Sequence, residues 1–579
     1  MRRCIPLLLV LTWLLTLWLP PVGSLQAAPP GAGQAQTRPT DPPPPIPTVT
    51  PTPAPPVEPR TVLDRMSVAD KVGQLFLISF EGASAPPDSD VAVLVRDYRV
   101  GGVVLLPENG NFRNTPVALA APAAVPVDAE TATTEPGERT TPEQIAALAN
   151  ELQALAISPP LAIPLTSTIT STAALTATGE VTATLPLTAT LPVTATVPAE
   201  PGTEGAASPV PVFAEDAGIP IPLFIALDWL GDDGSFFGGA GGFTPLPSAM
   251  AIAATWSTQM AEQVGRVVGH ELSVTGVNML LGPTLDVLDV PRPGGKGDLD
   301  TRTFGGDPFW VGQMGKAFIR GVQSGSGSQV LTVAEHFPGQ GGSDRRPEEE
   351  VATIQKSLEQ LRQIELAPFA AVTAGDDLQT PGITPALMTA HIRYRGFQGN
   401  IRELTPPISL APQLQDLMEL PEFAPWRAAG GVLVSDALGV PALRRYYDPT
   451  LTNFPHRQVA QHAFLAGNDL LYLGRFALTD EWSDQFTAIK ETILFFQEKY
   501  QTDAGFRARV DASVERIIRL KLDLYAGRWQ PGSDAPLDLA REVSAVGQQV
   551  GQNVNVTQAV ARAGVTLIYP GRDELADRM

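Results

Sequence analysis

Eight short apolar runs, separated by stretches with helical spacing, constrain this chain more than any other feature. In order they are LFLISF from Leu75, GGVVLL from Gly101, PLFIALD from Pro222, VNMLLGP from Val277, QVLTVAEH from Gln329, ALMTAHI from Ala386, GVLVSD from Gly431 and DLLYLG from Asp469. A strand with one wet face alternates apolar and polar side chains. These runs are apolar almost throughout, as strands covered on both faces are. Between them, TQMAEQVGRVVGHELSVTG and IQKSLEQLRQIELAPFAAVTAG repeat apolar residues at helical intervals and end near glycine, as helix C-termini do. Strand and helix in alternation predict an α/β fold with a parallel sheet inside a layer of helices, and eight repeats predict a (β/α)8 TIM-like barrel closed by VERIIRLKLDLYAG.

Composition narrows the partners. The chain has 579 residues, 44% of them hydrophobic, enough for a large core. A formal charge of −21 repels phosphate backbones and anionic headgroups, so nucleic acid and membrane surfaces are poor partners and neutral substrates fit better. Cys4 is the only cysteine, which leaves no intrachain disulfide and no cysteine metal site.

The flanks read differently from the barrel. MRR followed by an apolar stretch from Ile5 to Leu19 and small residues up to Ala28 marks 1–28 as a signal peptide or an uncleaved N-terminal anchor. An exported location follows, secreted or associated with the cell envelope, with membrane contact only through such an anchor. Residues 29–60 form a Pro-rich linker, 61–530 the barrel, and 531–579 a C-terminal tail. A Thr/Ala/Pro-rich stretch at about 114–214, including VTATLPLTATLPVTATVPAEP, is expected to be a disordered low-complexity insertion. Within it, TTPEQIAALANELQALAI predicts one helix at about 141–157, started by a threonine cap with Glu143 in the first turn.

Several strand runs end in a polar residue: Asp228, His336, His391 and Asp436, with Asp286 shortly beyond the fourth run. In a barrel the C-terminal strand ends converge on one face, where the active sites of this fold lie, so these dispersed residues are expected to share a pocket. His270, His456 and His462 fall in helical patterns without metal-ligand spacing, and the glycine clusters FFGGAGG and GSGSQ lack a strand-to-helix setting. No metal and no cofactor are expected.

The segments KVGQLF, GGVVLLPEN, PLFIALD, GVNMLLGPTLDV, RTFGGDP, EHFPGQG, LMTAHI and GVLVSDALG follow one another as in the catalytic domain of family-3 glycoside hydrolases, and resemble its β-N-acetylhexosaminidase branch from about Val62 to Tyr525. The resemblance implies a catalytic nucleophile at Asp436, sugar contacts from Asp228, Arg302 and His336, and a pocket-lining, substrate-binding His391. It also implies retaining hydrolysis of a terminal β-linked hexose, N-acetylglucosamine, from a glycoside or cell-wall-type glycan. A β-glucosidase-like hydrolase is the first alternative. The carbohydrate is the one expected ligand, and protein partners are not legible.

Three departures stand out. Glu335 occupies the place of a lysine before the histidine, DWLGD replaces DQEGG, and Arg346 and Glu348 stand where the branch has an aspartate–histidine acid/base dyad. Loss of the dyad supports a second alternative, a carbohydrate-binding pseudoenzyme. Replacement carboxylates lie in the same loop: Asp344, Glu348, Glu349 and Glu350, of which alignment puts Glu348 first as acid/base. Pro347 is expected to open a helix there, whose N-terminus would favour ionised carboxylates, suiting a base more than an acid. Finally, VTQAVARAGVTLIYPGRDELADRM resembles the start of the family's second α/β domain.

Overall fold

The structure, a computed structural model, describes residues 57–114, 139–158, 219–228, 241–291, 299, 301–526, 528–531 and 537–566. The signal or anchor segment, nearly all of the linker, most of the expected insertion and the end of the tail from residue 567 lie outside the described residues. Among those described, no helix is long and apolar enough to cross a membrane.

All eight apolar runs become parallel strands of one sheet. They are β1 (Phe76–Ser79), β2 (Gly102–Val104), β3 (Phe224–Asp228), β4 (Met279–Thr284), β5 (Leu331–Phe337), β7 (Ala386–Thr389), β9 (Val432–Ser435) and β10 (Leu471–Leu473). The order is β10-β1-β2-β3-β4-β5-β7-β9, with a parallel bridge between Val434 and Leu470 joining the two ends of the series, so the sheet is a nearly closed barrel. Two short strands, β6 (Thr353–Ile354) and β8 (Arg393–Tyr394), pair separately. Side chains of β1, β2, β4, β7, β9 and β10 are buried along their whole length, inside the barrel or beneath the helices, which is why the runs show no alternation.

The helix predicted from TQMAEQVGRVVGHELSVTG is Thr258–Thr275, closed by Gly276 at φ 83°, a left-handed conformation that suits glycine. It lies against Pro308–Ser326, and their glycines touch backbone: a Cβ on Gly265 or Gly269 would strike Phe318 O or Val322 O at 2.2 Å. The second predicted helix is split into Leu358–Gln363 and Leu366–Thr373. Pro368 explains the break, since its ring collides with the carbonyl four residues back, at Ile364.

Thr141–Ile157 is a helix with the expected bounds, and Thr140 N donates to Glu143 at 2.8 Å. It is no island in an insertion: Ile145, Leu148 and Leu152 are buried in the common core, and Gln153 exchanges hydrogen bonds with Leu223 next to β3. It is therefore the crossover helix between β2 and β3.

The N-terminal ends of the strands are stitched by a buried amine. Lys521, on the closing helix Ala504–Leu524, is fully buried and donates to Gln74 Oε1, Gly101 O and Pro222 O; burial holds its pKa well below that of free lysine. The described part of the tail docks on the same body, with Arg541 N bonded to Asn150 Oδ1 at 2.7 Å, Gly551 N to Glu271 at 3.0 Å and Asn553 N to Thr244 Oγ1 at 3.1 Å.

Candidate active site

A cavity of about 910 Å³ opens at the C-terminal ends of the strands. Asp228, Arg302, His336, Glu348 and Asp436 all line it, so five of the six residues given a catalytic or sugar-binding role meet in one place, with Asp286 and Glu349 beside them. The strands do this by stopping: Asp228 is the last residue of β3, His336 the penultimate residue of β5, and Asp436 follows Ser435 at the end of β9.

His391 is the exception and corrects the reading of it as a substrate contact. It is 1% exposed and does not line the cavity; its Nε2 lies 3.0 Å from Ala437 O and its Nδ1 2.8 Å from Ser409 Oγ. A carbonyl only accepts, so Nε2 carries the proton and Nδ1 accepts from the serine. Burial keeps the ring neutral by lowering its pKa. This histidine holds the backbone next to Asp436.

Asp286 performs the corresponding task for His336. Its Oδ2 lies 2.8 Å from His336 Nδ1 and its Oδ1 accepts from Gln340 N at 2.7 Å, which ties the turn after β5 to the loop after β4. Gly341 presses so close that an added Cβ would meet Val287 O at 1.9 Å. Burial opposes charge on His336, but Glu335 and Asp286 outweigh it, and its pKa stands well above that of free imidazole. The cavity thus presents an imidazolium and, in Arg302, a guanidinium.

The floor is acidic. Glu335 is 3% exposed, and its Oε1 accepts from Thr284 Oγ1 at 2.9 Å. Burial raises its pKa; His336 and the threonine bond oppose that, while Asp436 and Asp286 add to it. Asp228 is driven well above the ordinary carboxylate range, first by burial, then by Glu335 and Asp436, against the pull of His336 and Arg302.

No helix follows Pro347. Residues 347–349 form a turn in which Glu349 N and Glu350 N both donate to Arg346 O at 3.1 Å, and the next helix waits until Leu358, capped by Ser357. The expected helix-terminus setting for the glutamates is therefore absent, because β6 intervenes. The loop is anchored nonetheless: Tyr394 Oη donates to Gly339 O at 2.6 Å, and Ala442 N to Glu348 O at 2.9 Å. Arg345 turns Asp344 and Glu350 outward by pairing with both, leaving Glu348, Glu349 and Arg346 on the cavity wall.

Sequence reasoning missed several wall residues. Tyr472 on β10, Arg475 and Asp480 beyond it, and Glu108 and Asn109 after β2 all face the cavity. Only the PEN turn lay within a motif already noted, and Tyr472 could have been found as the one polar-tipped residue of the LYL core of the last strand run.

Comparison with known proteins follows the same lines. The family model described as Glycosyl hydrolase family 3 N terminal domain matches residues 197–520. Beta-hexosaminidase A of Pseudoalteromonas piscicida is 23% identical over 329 residues, 55% of this chain and 50% of that protein. Beta-hexosaminidase of Pseudomonas aeruginosa (strain LESB58) is 32% identical over 154 residues, 26% of this chain and 42% of that protein. The chain thus spans half or less of the length of these curated relatives. Among solved structures, a glycoside hydrolase family 3 beta-N-acetylglucosaminidase from Paenibacillus sp. str. FPU-7 superposes with a TM-score of 0.53 at 22% identity, covering 84% of this chain and 68% of the other, a likeness of fold.

Proposed function

This chain belongs to glycosyl hydrolase family 3, and from that premise we propose that it hydrolyses β-glycosides with retention, releasing a terminal β-linked hexosamine of the N-acetylglucosamine type. The observation that carries the reading is the meeting of Asp436 with Asp228, Arg302 and His336 in one cavity at the C-terminal ends of the strands. In the proposed reaction the Asp436 carboxylate attacks the anomeric carbon while the bond to the aglycone oxygen breaks and that oxygen takes a proton. Water then attacks the glycosyl ester, frees the sugar with its original configuration and restores Asp436. Arg302 and His336 are donors for sugar oxygens and Asp228 an acceptor. Glu348 is the proposed proton carrier, and an exported location, read from residues 1–28, belongs to the same proposal.

A panel of chromogenic β-glycosides, with N-acetylglucosaminide and glucoside side by side, tests the activity. Asp436→Asn is expected to lower kcat on the order of 10³-fold or more without changing the folded circular dichroism spectrum. A 2-fluoro sugar inactivator should label Asp436, and labelling of another carboxylate would overturn its assignment.

A further inference from the structure

The cavity floor holds more acid than a neutral sugar requires. Glu335 uses Oε1 on Thr284, but its Oε2 meets no hydrogen-bond donor among the described residues, and His336 Nε2 stands 3.8 Å away. Asp228 repeats the shortfall: its Oδ1 is buried without a partner. Both acids line the same cavity as Asp436, and His336 has already committed Nδ1 to Asp286.

A sugar hydroxyl supplies one donor and no charge, so it adds nothing to the pull of His336 and Arg302 against the crowding of Asp228, Glu335 and Asp436. An acetamido group likewise brings one N–H and no charge. An ammonium brings three donors and a positive charge, which compensates both acids at once. We propose that Glu335 makes this cavity selective for a sugar with a free amine, so that β-linked 2-amino-2-deoxyhexosides are bound and cleaved in preference to their N-acetylated or 2-hydroxy counterparts. The inference rests on the glycosidase reading of the cavity and replaces the N-acetylated sugar of that reading with one bearing a free amine. Burial raises the pKa of both acids, and Glu335 adds to the rise at Asp228; a bound ammonium acts in the opposite direction and favours both as ionised acceptors.

The test is calorimetric binding of the methyl β-glycosides of glucosamine, N-acetylglucosamine and glucose to the full chain, alongside kcat/KM for the matching 4-nitrophenyl glycosides. The glucosaminide should bind at least about tenfold tighter than the other two, as expected for an added buried charge pair. Glu335→Gln keeps the side-chain length and an acceptor for Thr284, and should bring the three ligands near parity; Glu335→Lys should reverse the ranking. A parent chain without tighter glucosaminide binding, or a folded Glu335→Gln that keeps the preference, overturns the inference. The parent ranking needs no variant, so a misfolded variant leaves the test decisive. Hydrolysis of neutral β-glycosides with no amine preference would sink this inference and spare the glycosidase reading. Selective amine binding without turnover of any glycoside would do the reverse.

Discussion

Glu348 is the residue whose role depends most on its surroundings. It occupies the alignment position of a missing acid/base group and lines the cavity, held there by the bond from Ala442 N to its own carbonyl. A phenolate leaves without a proton and an alkoxide does not, so the leaving group separates acid catalysis from everything else. Glu348→Gln should retain most of its glycosylation rate on an activated aryl β-glycoside, lose about 10²- to 10⁴-fold on a disaccharide, and recover deglycosylation with azide. Equal rates of variant and parent on the disaccharide would remove Glu348 from the mechanism. At this scale Asp228, His336 and Asp436 were legible because each ends or follows a strand run, and Arg302 and Glu348 were legible only through the family resemblance. The orientation of His391 was not. It too follows a strand, and only the meeting with Ser409 and Ala437 commits both of its ring nitrogens to the protein.

At the level of elements, strand positions were readable because burial on both faces leaves an unbroken apolar run, while the helix after Pro347 was misread because a first-turn proline and acidic neighbours suit a simple turn equally well. What closes the barrel was invisible as well. Asp469 precedes β10 and accepts from Leu433 N at the start of β9, from Arg427, and from Arg509, Ser513 and Arg516 on the closing helix. Burial works against its charge, but the three guanidinium groups prevail and hold its pKa far below the ordinary carboxylate range. Asp469→Asn leaves three cations around a neutral group and is expected to cost about 3–5 kcal/mol in denaturant unfolding. Because the folded-state pKa is depressed, the carboxylate's contribution is complete above its unfolded value of about 3.9 and fades as pH falls through the folded one. The gap between parent and variant should therefore be constant near neutrality and narrow below about pH 4. A gap that closes near pH 6 would assign the effect to another group.

Over the whole molecule, the chain divides into parts that carry the fold and parts that composition marks as dispensable. Leu539, Val546, Val550 and Val560 of the tail are buried, and Gly551 supplies a donor to the buried Glu271 carboxylate. Truncation after residue 536 should therefore lower the melting temperature by several degrees, for about 2–5 kcal/mol of lost burial. Deletion of Ile163 to Pro209, outside the described residues, should leave it nearly unchanged, since so Thr- and Pro-rich a composition is poorly suited to a packed core. A large drop on the second deletion, or none on the first, would refute this division. By itself the sequence determined the barrel, its eight strands and the identity of the polar residues that end them, because hydrophobic periodicity and strand-end chemistry are local properties of the chain. Tertiary structure decided the rest: that 141–157 is the β2–β3 crossover, that the tail helices dock on the barrel, that His391 commits both ring nitrogens to Ser409 and Ala437, and that Glu335 and Asp228 share a floor short of donors. Those outcomes depend on which distant side chains meet in a low-dielectric interior, where each missing partner is costly, and no local pattern records such meetings.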